Sequence, residues 1–107
     1  MKDNKTEQAA QNGHLDGVKN IADFIYLTYK ARYGFPQGYC GQIAEDIQKK
    51  IGGQIVAGYL VFKTHNREHW WLDLEGVIID PMSDELMMSD PHTHKEVHRD
   101  MSKKYWQ

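Results

Sequence analysis

Apolar residues recur at three- and four-residue steps from Leu15 through Val18, Ile21, Ala22, Ile25 and Tyr29. That spacing predicts an amphipathic helix over 15–33, with Asp16 as its N-cap. Gly34 ends it, and Pro36 prevents its resumption. Residues 35–39 (FPQGY) read as a loop. A second helix is predicted over 40–51, with Ile43, Ala44, Ile47 and Ile51 as its stripe and Cys40 in line with them; Gly52 and Gly53 stop it. The period then changes. Residues 54–63 are rich in β-branched and aromatic side chains and predict a buried strand. After a polar turn at 64–67, residues 68–74 predict a second strand. Glu75-Gly76 turns the chain into a third, Val77 to Asp80, which Pro81 must terminate because it has no N–H for a ladder. Asp84 to Met88 reads as a short helical turn. Val97, Met101 and Tyr105, at four-residue steps, predict a last helix over 93–105. Residues 1–13 are polar and aperiodic and read as a flexible arm. Helices followed by antiparallel hairpins give an α+β fold, with the helices packed on one face of a small antiparallel sheet.

A chain of 107 residues, 40% apolar and 26% charged, has the size and composition of one globular domain, here 14–91. These values exclude disordered, collagen-like and coiled-coil classes. The apolar runs are too short for a membrane span, and the start at Met1 has no apolar leader segment. Residues 14–91 carry 7 basic and 11 acidic groups, an excess of negative charge that argues against a nucleic-acid backbone as ligand. Residues 92–107 form a basic segment with three histidines. Cys40 is the one cysteine, so no intrachain disulfide exists, and a cytoplasmic location is expected.

Three residues carry candidate chemistry. Cys40 opens a helix, where unpaired N–H groups favour a thiolate; the bland alternative is a small apolar residue on the helix stripe. His69 lies in a strand beside Trp70 and Trp71, where a packed core histidine is the ordinary case. Asp80 before Pro81 is ordinarily a turn former. The hairpin changes this picture. With a two-residue turn at Glu75-Gly76, Trp71 faces Asp80 and His69 is its diagonal neighbour. With a four-residue turn, His69 faces Asp80 directly. The two registers differ by an even step, so both put His69 and Asp80 on one face.

The stretches GYCGQIAEDI (38–47) and HWWLDLEGVIIDP (69–81) resemble the transglutaminase-like and papain-like cysteine hydrolases over about residues 35 to 85. In that family a nucleophilic cysteine starts a helix, a histidine opens a strand, and an aspartate closes the next strand as Asp-Pro. The resemblance implies a minimal papain/transglutaminase-like domain with a Cys40-His69-Asp80 triad. It implies acyl transfer from a peptide or glutamine-type amide, as protease, deamidase or transglutaminase, with a protein or peptide substrate and no metal or organic cofactor. The backbone N–H of Cys40, with the Gln37 side chain or the Tyr39 hydroxyl, would form the oxyanion site, and Trp71 would help position substrate. The chain is short for the family, which implies a small cleft or one completed by another surface. The other class is an inert binding or inhibitor module of the same fold, of the kind phages and mobile elements carry. Trp70, Trp71, Trp106 and Met87-Met88 would then supply its interface.

His94 and His98 would share a helix face at zinc-ligand spacing. The expectation is a solvated histidine-rich segment at 92–107.

Overall fold

The structure, a computed structural model, describes the backbone of residues 4–99 and the side chains of 15–99 apart from that of Gln37. It is an α+β domain. Helix α1 spans Asn4–Tyr33, and a short 3-10 turn at Gln37–Tyr39 leads into α2, Cys40–Ile51. Strands β1 (Gln54–Phe62), β2 (Asn66–Leu74) and β3 (Val77–Ile79) follow; α3 (Pro81–Met87) and β4 (His92–Arg99) complete the chain. All pairings are antiparallel, in the order β3-β2-β1-β4. Among the described residues, no helix is long and apolar enough to cross a membrane.

Helix α2 has the predicted limits, and α1 ends as expected at Gly34, whose φ of 76° is the left-handed conformation that glycine adopts without steric cost. Its start differs. The backbone is helical from Asn4, so the boundary expected near residue 15 is absent and Asp16 lies inside the helix. Residues 5–11 (KTEQAAQ) are mostly good helix formers, and propensity continues the helix without an apolar stripe.

Val18, Ala22 and Tyr26 of α1 meet Ile43, Ala44 and Ile47 of α2, Met82 of α3, and Ile55, Leu72 and Ile79 from the sheet. The register pairs Ile55 with Leu72 and Leu72 with Ile79, so these three form one row across the strands. Burying each large side chain contributes about 1.5–3 kcal/mol. Residues of the opposite parity are buried too: Val56, Leu60 and Phe62 on β1, and His69 and Trp71 on β2. Strands β3 and β4 lie at opposite edges, so the connection over residues 80–91 must cross the sheet, about 14 Å for three strand spacings. Asp80 and Ser83 on this connection bond to histidines of that parity, while Met82 between them packs into the core with α1 and α2.

The last helix expected over 93–105 is not formed where the chain is described. Residues 92–99 are a strand paired along β1, from Phe62 opposite His92 to Val56 opposite Arg99. Without β4 the outer edge of β1 would leave a row of unpaired N–H and C=O groups, and satisfying them outweighs the weak four-residue periodicity around Val97. Val97 sits at a register shift beside Gly58, whose position admits no side chain: a Cβ there would lie 2.0 Å from the Lys95 carbonyl oxygen. Met101, Tyr105 and Trp106 lie outside the described residues.

Candidate active site

The β2–β3 turn takes the shorter of the two registers. Leu74 pairs with Val77, leaving Glu75 and Gly76 as a two-residue loop with φ of 52° and 90°. Positive φ at both positions is the geometry that matches the twist of a hairpin. The backbone N–H of Gly76 donates to Asp73 Oδ1 at 2.7 Å. This turn carries the chain directly into Asp80, which N-caps α3: its Oδ1 accepts the Ser83 N–H at 3.2 Å, with Pro81 in the first helical turn. The turn-forming role expected of Asp80 is therefore real, and it occupies one carboxylate oxygen. The other oxygen faces the sheet.

Nε2 of His69 lies 2.8 Å from Oδ2 of Asp80, with both side chains buried. A buried carboxylate accepts only, so His69 donates from Nε2. Cys40 lies near enough to His69 to raise its pKa, and the two side chains line the same cavity. Cys40 is half-buried at the first position of α2, and no side chain caps that helix start. Cys40, His69, Trp71 and Asp80 line one small cavity, with Ile43 and Ile47 in its wall. Its free space of about 10 Å³ is that of one water molecule.

Burial opposes charge on both members of the buried pair, and their mutual interaction overrides it. For His69, burial lowers the pKa, while the hydrogen bond to Asp80, the charge of Asp80 and the nearby Cys40 raise it, to about 9. For Asp80, burial raises the pKa, while the hydrogen bonds of His69 and His94 lower it below the usual carboxylate range. The pair is thus an imidazolium–carboxylate ion pair near neutral pH.

Of the other residues singled out from the sequence, Trp71 is buried rather than open to a cleft. It lies in a tilted stack with His69 and meets His94 edge-on at 4.7 Å between ring centroids. The Tyr39 ring stacks on Tyr33 at 4.2 Å. The Gln37 side chain lies outside the described ones.

The residues that sequence reasoning missed are His92 and His94, assigned to a solvated tail. His92 is buried: its Nδ1 donates to the Asp90 carbonyl at 2.8 Å, and its Nε2 meets Ser83 Oγ at 2.6 Å. The carbonyl fixes Nδ1 as a donor, and Nε2 shares its hydrogen bond with the Ser83 hydroxyl. His94, half-buried, brings Nε2 within 2.8 Å of Asp80 Oδ2. The helical His94–His98 face considered for zinc does not exist, because 92–99 is extended. The alternation His92-x-His94 opposite a buried strand was the available signal, since it puts both rings on one face.

No protein-family model matches the chain, and neither does any curated protein or solved structure.

Proposed function

We propose that this chain is a small cysteine hydrolase of papain/transglutaminase-like type acting on a peptide or glutamine-type amide. One observation carries the reading: His69 Nε2 lies 2.8 Å from Asp80 Oδ2, and Cys40 lines the same cavity as both. In the proposed reaction the Cys40 proton already resides on His69, and the thiolate Sγ attacks the carbonyl carbon. The oxyanion forms beside the Cys40 N–H at the start of α2. His69 then protonates the leaving amine, and a thioester remains on Cys40. Water or a second amine attacks that carbonyl, His69 takes its proton, and the thiolate departs, restoring the thiolate and imidazolium. Asp80 holds the His69 ring with Nε2–H toward itself and stabilises the imidazolium. Hydrolysis gives a protease or deamidase; attack by an amine gives a transglutaminase. Tyr39 contributes its backbone to the turn before Cys40, its ring being engaged with Tyr33.

The narrowness of the cavity favours a second reading, an inert binding or inhibitor module of the same architecture. The exposed Met87 and Met88 would suit its contact surface.

Alkylation of Cys40 by iodoacetamide across pH 5–10 separates the two. A coupled thiolate in wild type reacts at pH 6 at least about tenfold faster than in His69→Gln. Superimposable profiles would remove the catalytic assignment and leave the binding module.

A further inference from the structure

The side of Asp80 facing the sheet serves two imidazoles. Oδ2 lies 2.8 Å from Nε2 of His69 and 2.8 Å from Nε2 of His94, while Oδ1 is used by the Ser83 N–H. A carboxylate oxygen has two lone pairs, and here each has a ring donor. We propose that His94 is a positioning residue for His69: it donates to the oxygen that orients His69, and so sets how much of the Asp80 charge His69 receives. The meaning of this for turnover rests on the reading of His69 as the base.

Three observations show that His94 is built in. It sits opposite Leu60, in the register that the close approach of Gly58 to Lys95 allows. Trp71 holds its ring edge-on. Ser83 and His92 tie the start of α3 to the first residue of β4, which keeps Asp80 and His94 in register. The two rings stand 6.5 Å apart, so two imidazolium charges would repel across one carboxylate.

The charged and titratable groups around His94 are Asp80 and Asp84 from the α3 segment, His69 from β2 and His92 from its own strand. Lys19 and Asp23 of α1 reach it through Asp84. Removing the His94 donor leaves Asp80 more basic and its charge less shared, which strengthens its hold on the His69 imidazolium. Glutamine at 94 restores a neutral donor that cannot ionise.

The test is imidazole titration by 1H–15N NMR in Cys40→Ala protein, so that its outcome is independent of thiol chemistry. His94→Leu is expected to move the His69 midpoint upward by about one pH unit, and His94→Gln to bring it back toward the parent value. Nitrogen shifts of the unsubstituted His94 should report the Nε2–H tautomer. An unmoved His69 midpoint in His94→Leu, or an Nδ1–H tautomer at His94, would overturn the proposal; the tautomer is read even if His94→Leu fails to fold. Failure of the alkylation profile with a shifted His69 midpoint would remove the hydrolase reading and leave the His94–Asp80–His69 coupling standing.

Discussion

Nε2 of His94 lies 2.8 Å from Oδ2 of Asp80, across 14 positions of sequence that include the whole of α3. The two residues meet because the chain leaves the sheet at one edge and rejoins it at the other. Asp80 is consequently the point where the hairpin, the start of α3 and the edge strand β4 are joined. A substitution there acts on the fold and on His69 together.

Asp80→Asn should keep the β2–β3 hairpin and its Glu75-Gly76 turn, because the amide is nearly isosteric and asparagine also caps helices. It replaces the buried charge that two histidines share, and the expected loss of stability is about 3 kcal/mol. Urea denaturation reads that loss. Alkylation of Cys40 at pH 6 should slow in parallel, since His69 loses the partner that holds its imidazolium; an unchanged rate would separate Asp80 from the thiol.

Stability should fall on both sides of a plateau. His69 has a folded pKa raised from 6.5 to about 9, so its contribution is complete below 6.5 and is lost as pH rises through about 9. Asp80 has a folded pKa lowered from 3.8, so its contribution is present above 3.8 and is lost as pH falls below that value. Thermal melts between pH 3 and 10 check this. Cys40→Ala should move the alkaline decline to lower pH, because Cys40 is one of the causes of the raised His69 value.

Cys40→Ala itself removes one half-buried sulfur, and a stability loss of about 1 kcal/mol is expected. All covalent labelling by iodoacetamide at the thiol should vanish with it, as the chain has no other cysteine. Activity toward an amide substrate that survives in Cys40→Ala would exclude Cys40 as its nucleophile.

Gly58→Ala places a Cβ 2.0 Å from the Lys95 carbonyl oxygen and 2.9 Å from Cη2 of Trp71. The backbone atom cannot yield as a side-chain tip would. The β1–β4 pairing should therefore open around the shift at Val97, with a cost of about 3 kcal/mol or more. Hydrogen exchange should report faster exchange along His92–Arg99 than along β2, whose pairing with β3 does not depend on Gly58. Equal protection of the two strands would show that the sheet accommodates the methyl group.

Local pattern alone determined a good part of this protein. The helical stripe Ile43, Ala44 and Ile47, the glycines after residue 51, and the Glu75-Gly76 turn are signals carried within a dozen residues of the elements they specify. Strand parity also placed His69 and Asp80 on one face in either register, before any contact was known. Tertiary structure decided what local pattern cannot. Residues 92–99 have polar and charged side chains at most positions, and nothing in their own period demands a strand; the unpaired edge of β1, contributed by residues thirty or more positions earlier, does. Once β4 is paired there, His92 and His94 share the face of Leu60 and Phe62, and buried Ser83 and Asp80 supply their partners. The N-terminal limit of α1 differs from expectation for the opposite reason: helix propensity extends it where no apolar stripe exists to mark it.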